Sequence, residues 1–239
     1  MLASSRRILS KGGEAVKYKS QIVTQASGSV GGTTYSHNQG GLYQRARAIP
    51  VNANTAQQQV VRNAVSALTA LWVQTLTQAQ RDAWATYSLN VPIPDSLGEP
   101  RDIGGIAMYV RCNVPRLQAG LTRVDVAPLI FTLGTLSPPV PIADVSAQTV
   151  STSYVAADGW NTAGGGLLMY QSRAQSLATN YFKGPYRFLD VALGVGVSPE
   201  LSAAVFPFGL SNKVFMQYRA SYADGRLTSP FRIPALVVA

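Results

Sequence analysis

The sequence predicts an α+β fold in which an N-terminal extended β arm and a helical hairpin precede a C-terminal β-sandwich. Glycine-punctuated runs rich in Thr, Tyr and Val at residues 20–50 indicate short strands. An apolar repeat at helical spacing follows, and short alternating runs return after Pro138-Pro139. We therefore divide the chain into a basic extended arm with a β-hairpin (1–50), a helical domain (51–125) and a β-sandwich (126–239).

The arm contains a hairpin pattern with one basic face. In the run LYQRARAI, the two-residue period of a strand places Tyr43, Arg45 and Arg47 on one side. Two strands with so little apolar surface do not offset the entropy that is lost when they become ordered. We therefore expect the arm to dock on another surface.

The positive charge of the chain is concentrated in this arm. The chain carries 20 Lys and Arg residues against 11 Asp and Glu residues, a net charge of +9. Residues 1–50 hold seven of the basic residues and one acid, Glu14, which leaves a net charge of +6. Such an arm indicates contact with an acidic partner surface or with phosphates, although a solvated tail gives the same count. The candidate contact residues are Arg6, Arg7, Lys11, Lys17, Lys19, Tyr43, Arg45 and Arg47.

The segment after the arm predicts two helices joined by a short turn. Beyond Thr55, apolar side chains recur every three or four residues, at Val61, Ala64, Val65, Leu68, Leu71 and Trp72. Thr77-x-x-Gln80 resembles a capping box, and it predicts a second helix that ends near Tyr87. The two helices together form a helical hairpin.

A DNA-binding helix-turn-helix is an alternative reading of this hairpin. In that motif the second helix lies in the major groove and reads the base edges. The second helix here offers only Arg81 and Asp82 for base readout. We favour packing as its role.

A third helix is predicted from about Ile103 to Ala119, with Gly120 as its C-terminal stop. The preceding residues 91–101 contain three prolines and a glycine, which indicates a loop. Pro115 removes a backbone donor from the third helix. We therefore expect the helix to kink or divide near Asn113.

The C-terminal part predicts at least five short strands over about 100 residues, a number that suggests a sandwich. Its segment Tyr218–Pro230 alternates, turns at Asp224-Gly225, and enters the last strand through Ser-Pro. This segment resembles the last hairpin of fibronectin type III and related immunoglobulin-like domains. The resemblance implies an immunoglobulin-like β-sandwich.

The residue inventory argues against several kinds of chemistry. Cys112 is the only cysteine and His37 the only histidine, which removes an intrachain disulfide, zinc fingers and Ser-His-Asp or Cys-His catalysis. The acids lie mostly in turn contexts and show no paired-carboxylate pattern. We expect no enzyme activity, no cofactor and no metal, with His37 in a turn and Cys112 as a small buried side chain.

The sequence also lacks membrane features. It has no run of 18 or more apolar residues, so we expect no membrane partner. The opening residues carry early arginines, but no apolar stretch of seven or more follows them. The opening is therefore not expected to be a secretory signal.

The order of these parts resembles tailed-phage virion structural proteins. The resemblance covers about residues 28–121 and is carried by the Gly-rich basic arm, by the hairpin NTAQQQVVRNAVSALTALWVQTLTQAQRDAWATYS and by the helix ending IAMYVRCNVPRLQAGL. It implies a non-enzymatic virion protein, capsid-associated as a minor capsid or decoration subunit. The implied partners are the major capsid protein and copies of the chain itself. Charged residues make up only 13% of the chain, which suits a surface that neighbours cover.

Two other classes of function remain open. A nucleic-acid-binding protein would use the basic and aromatic residues of the arm on phosphates and bases. A neck or tail component or an adhesin would display the sandwich, with Trp160, Tyr181 and Tyr186 as its aromatic contact candidates.

Overall fold

The structure is a computed structural model that describes residues 16–17, 26–38, 41–49, 52–94 and 98–237. The chain divides into two compact units, Met1–Asn54 and Thr55–Ala239. The described part of the first unit contains strands only, and that of the second contains helices and antiparallel strands. The predicted α+β class is therefore confirmed. The boundary predicted at residue 125 falls inside the second unit.

The first unit contains one small antiparallel sheet. Its strands are β1 (Val16–Lys17), β2 (Gly28–Val30), β3 (Thr33–Asn38) and β4 (Gly41–Ala46). Their order across the sheet is β1-β4-β3-β2. Gly31 lies in the two-residue turn between β2 and β3 with a φ of +57°, a conformation that favours glycine. The hairpin predicted in the arm is thus part of a four-stranded sheet.

His37 lies in β3, so the prediction that it occupies a turn is wrong. Pairing between β3 and β4 continues to the end of β3 and sets His37 opposite Leu42. The prediction of a turn at His37 is based only on the polar composition of the residues around it. Cross-strand pairing overrides that local preference.

Three helices begin the second unit. They are α1 (Ala56–Gln74), α2 (Gln78–Asn90) and α3 (Gly105–Gln118). The predicted capping box at the start of α2 is confirmed, because Thr77 Oγ1 accepts from the Gln80 N–H and Gln80 Oε1 accepts from the Thr77 N–H. The start of α1 has the same reciprocal pair between Thr55 and Gln58. These caps satisfy donors that a helix start leaves without intrahelical partners.

The third helix runs through Pro115 to Gln118, so the prediction that it divides near Asn113 is wrong. Pro115 lies only one turn from the end of the helix, where it removes a single backbone donor. The Asn113 side chain links this part of the helix to the segment that follows it. Its Nδ2 donates to the Tyr109 carbonyl within α3 and to the Val124 carbonyl beyond the helix. Asn113 Oδ1 in turn accepts from the Val124 N–H at 2.7 Å.

The remaining strands form four antiparallel sheets. They are β5 (Ile93–Pro94), β6 (Pro100–Arg101), β7 (Val140–Asp144), β8 (Thr149–Ser153), β9 (Gly166–Gln171), β10 (Arg187–Leu193), β11 (Glu200–Ala203), β12 (Lys213–Val214), β13 (Met216–Ser221), β14 (Phe231–Arg232) and β15 (Leu236–Val237). The main sheet has the order β10-β9-β13-β14, and a second sheet has the order β11-β8-β7. The pairs β12-β15 and β5-β6 complete the set.

The main sheet carries an apolar core on each face. Leu167 and Met169 of β9 join Val150 of β8 in the core shared with the second sheet. Leu168, between them in sequence, joins the core built by the helices around Trp84. Successive side chains of a strand point to opposite faces, so β9 contributes to both cores. The helices and the two sheets are therefore packed as one unit.

Helices α2 and α3 approach closely where α3 begins. A Cβ added to Gly105 would lie 2.8 Å from the Ala85 backbone nitrogen. A larger residue at this position would push the two helices apart. Tyr109 of α3 then packs edge-on against Trp84 of α2, with ring centroids 5.5 Å apart.

Arg116 joins the end of α3 to the main sheet. Its side chain is 1% exposed, and its guanidinium donates to the Gly164 and Tyr222 carbonyls and to the Ser221 hydroxyl at 2.7–2.9 Å. Nε donates to the Thr122 carbonyl at 2.8 Å. Burial lowers the pKa of this guanidinium. Neutral oxygens rather than a carboxylate accept these hydrogen bonds within the described part of the chain.

We expect Arg116→Met to destabilise the protein by roughly 3 kcal/mol, because it leaves several buried oxygens without donors. The measurement is urea unfolding of the full chain, monitored by tryptophan fluorescence. Arg101→Met is the matched control, since Arg101 is exposed, and it should change the free energy of unfolding by less than about 0.5 kcal/mol. Equal stabilities of the two variants would contradict this role of Arg116.

Candidate interaction surfaces

The sheet of the first unit presents a basic and hydroxyl-bearing face. Tyr43 and Arg45 alternate along β4, and Ser36 and Thr34 lie directly opposite them on β3. Thr34 Oγ1 lies 2.8 Å from the hydroxyl of Ser29 on β2. This face therefore offers a guanidinium, a phenol and several hydroxyls to whatever contacts it. We call it the arm face.

None of the side chains that the structure describes in strands β2, β3 and β4 is buried. Within residues 26–37 and 41–49 every side chain is exposed or half-buried, and Val30 and Ile49 are 75% and 78% exposed. A sheet of this size gains stability from one buried apolar face. The first unit lacks such a face in its described part.

The structure brings some of the predicted contact residues together. Arg45 shares the arm face with Tyr43, and Arg47 lies exposed just beyond β4, where its N–H donates to the Gly32 carbonyl at 2.8 Å. The backbone register places Lys17 of β1 opposite Tyr43. Arg6, Arg7, Lys11 and Lys19 lie outside the described residues.

The second unit holds a groove that the sequence analysis missed. It is a cavity of about 620 Å³ between the first turns of α1 and strands β9 and β10 of the main sheet. A smaller cavity of about 260 Å³ adjoins it and shares Arg173, Arg187 and Phe206 with it. We call the two together the arginine groove. Its walls also include Gln57, Arg62, Gln118, Tyr170, Phe182, Tyr186 and Phe188.

The arginine groove combines positive charge with aromatic rings. Arg173 lies over the ring of Phe206, with its guanidinium carbon 5.1 Å from the centroid. Arg232 lies 5.8 Å above the ring of Tyr186. No carboxylate lies among the described residues that line either cavity. The described lining residues of the groove therefore include arginines and no acid.

The net charge of a whole segment does not reveal this groove. Residues 126–239 have a net charge of only +2, because acids on other surfaces balance the arginines in the sum. The local run Tyr186-Arg187-Phe188 is the one signal in the sequence, since all three residues line the larger cavity. The strand fold is what adds Arg173 and Phe206 to it.

The aromatic residues considered for glycan contact have different environments. Trp160 is fully buried in the core between the sheets, and its Nε1 donates to Asp158 Oδ2 at 3.2 Å. Tyr181 is 70% exposed, and Tyr186 lines the arginine groove. Trp160 therefore packs in the core and does not reach a ligand on the surface.

The second sheet presents apolar side chains on its outer face. Ile142 and Leu201 are each 64% exposed, and both lie opposite Ser151 of the central strand β8. Val140, on the same side of β7, is 60% exposed. These three side chains form an apolar patch at the surface.

Cys112 is a buried side chain of α3, as predicted. It is 2% exposed in the helix core, and burial raises the pKa of its thiol to about 12. The thiol is therefore protonated and shielded at neutral pH. No group of three or more potential metal ligands occurs within the described residues, and no described helix meets the length and apolarity that a membrane span requires.

Comparisons with known proteins assign no family or function to the chain. No family model, curated protein or solved structure matches the chain.

We expect Cys112 to react with a thiol reagent such as DTNB only when the protein unfolds. Its raised folded pKa means that the thiol contributes fully to stability below the unfolded pKa of about 8.5 and that this contribution falls as pH rises toward 12. The measurement is the rate of reaction at pH 8 with and without urea, with Cys112→Ser as the blank. Rapid stoichiometric reaction of the native protein would contradict the burial of this thiol.

Proposed function

We propose that the chain is a non-enzymatic virion structural protein, capsid-associated as a minor capsid or decoration subunit, whose N-terminal arm docks on neighbouring subunits. The observation that carries this proposal is the sheet of the first unit, in which no side chain of residues 26–37 and 41–49 is buried. Such a sheet gains the burial it lacks when it is placed against a partner.

The arm face fits an acidic partner surface. Arg45 is exposed there beside Tyr43, and guanidinium groups form bidentate hydrogen bonds with carboxylates. Aromatic residues and arginine are also enriched at protein interfaces. The neighbours in this proposal are the major capsid protein and copies of the chain itself.

The edge of the sheet supplies a second means of docking. Strand β2 pairs only with β3 among the described strands and is therefore an edge of the described sheet. A partner strand can add to such an edge through backbone hydrogen bonds, and side-chain contacts then fix its register. The arm would then be ordered by its neighbour's sheet.

We propose further that the C-terminal sheets form an immunoglobulin-like sandwich that the particle displays. Two features support this: the sheets share one core, and β13 and β14 form a hairpin with a turn at Asp224-Gly225. The apolar patch of Val140, Ile142 and Leu201 suits a subunit with neighbours on more than one side.

Deleting residues 1–50 should abolish incorporation into particles while the rest of the chain stays folded, because the second unit contains both apolar cores. Incorporation is measured by sedimentation of particles from the native source, with half of the sample treated with nuclease. Circular dichroism and thermal unfolding of the truncated chain check its fold. Normal incorporation of the truncated chain would contradict the docking role of the arm.

A sharper test replaces Arg45 and Arg47 together. Arg45→Glu with Arg47→Glu should reduce incorporation at least tenfold, because like charges at an interface cost several kcal/mol. The matched control is Arg45→Lys with Arg47→Lys, which keeps both charges and should retain most of the incorporation. Release of the wild-type chain by nuclease, without a shell protein, would replace this proposal with nucleic-acid binding by the arm.

A further inference from the structure

We propose that the arginine groove of the second unit binds single-stranded nucleic acid, with phosphates on Arg173 and Arg187 and bases against the aromatic wall. This site is separate from the arm residues in the proposed function. It shares no residue with them and lies wholly in the unit Thr55–Ala239.

The size of the groove suits more than one nucleotide. A volume of about 620 Å³ lies within the range of pockets that hold small ligands, and the adjoining 260 Å³ extends it past Arg187 toward Phe182. Both cavities open at the surface, so a strand can enter and leave. A continuous chain of nucleotides fits this shape better than a single enclosed molecule does.

The charge of the groove selects an anion. Arg173 and Arg187 are exposed and belong to both cavities. A guanidinium presents a planar set of donors that matches phosphate geometry. The net charge of +9 further favours the approach of a polyanion over long distances.

The aromatic wall distinguishes nucleic acid from an acidic peptide. Phe206 and Tyr186 are half-buried and line the groove beside the arginines. Arg173 lies over the Phe206 ring and Arg232 over the Tyr186 ring, so each ring and its guanidinium form a flat stack. An acidic peptide would pair with the guanidinium edges but would leave the flat faces of these stacks unused. A nucleotide occupies both, because its phosphate pairs with a guanidinium and its base stacks on a ring.

Amide side chains complete the wall. Gln57 is exposed and Gln118 half-buried at the edge of the larger cavity. Each amide group both donates and accepts hydrogen bonds, as the edges of bases require. The groove thus offers a partner for each part of a nucleotide.

Photocrosslinking of the full chain to a twelve-residue oligothymidylate that contains 4-thiothymidine locates the bound strand directly. We expect crosslinked peptides that contain Tyr186, Phe188 or Phe206, identified by mass spectrometry. Crosslinks confined to residues 1–50, or no crosslink at all, would overturn the proposal. The crosslink position is needed because the basic arm can also attract the oligonucleotide.

Salt dependence tests the arginines. Each phosphate contact with a single strand contributes about 0.7 to the slope of log affinity against log salt, so Arg173→Ala with Arg187→Ala should reduce that slope by about 1.4. Arg101→Ala is the control, because Arg101 is exposed on the same unit away from the groove, and it should leave the slope unchanged. An unchanged slope in the double variant would overturn the assignment of phosphates to these arginines.

The aromatic wall and the form of the ligand are tested separately. Phe206→Ala should weaken oligothymidylate binding roughly 5- to 150-fold, the effect of losing one stacked base, whereas Phe206→Trp should retain it. Phe131→Ala removes a partly exposed ring outside the groove and should have no effect. Two competitors test the choice of a nucleic-acid strand: a polyglutamate peptide and thymidine monophosphate. If either binds the groove as tightly as the oligonucleotide does, the proposal of a nucleic-acid strand is overturned.

Discussion

The buried guanidinium of Arg116 is the interaction on which the second unit depends. A charge removed from water costs several kcal/mol unless its donors are satisfied, and here carbonyl and hydroxyl oxygens from three separate segments accept from it. Those oxygens lie after α3, before β9 and at the end of β13. A shift of the helix against the sheet would leave some of these groups without a partner, so Arg116 stabilises the observed packing together with the apolar core that the helices share with the sheet.

The same arrangement accounts for the arginine groove. Because α3 is tied to the main sheet, the helices cover one face of β9, and the start of α1 stands over the strand pair β9 and β10. Arginines and aromatic rings that are far apart in sequence then share one wall. The arm face is built differently, since neighbouring strands of one small sheet supply all of its residues. One basic surface is therefore a product of local pairing, and the other is a product of tertiary packing.

The two surfaces differ in what stabilises them. No side chain of residues 26–37 and 41–49 is buried in the first unit, whereas the groove rests on a sheet with an apolar core on each face. In the proposed docking, the partner of the arm would supply part of its stability, and binding and ordering of the arm would be coupled. The groove is already formed, and it can bind without such a change. A virion subunit with both surfaces could join its neighbours through one and contact a nucleic-acid strand through the other.

The sequence by itself determined the features that depend on neighbours in the chain. The capping residues Thr55 and Thr77, the helical spacing that buries Leu68 and Trp84, and the alternation of Tyr43 and Arg45 all follow from local geometry. The prediction for His37 was wrong because strand pairing outweighs local preference there, and α3 continues past Pro115 without dividing. Only the tertiary structure decided that Arg116 is buried and that Arg173, Arg187 and Phe206 meet, because those contacts join residues that no period or motif connects.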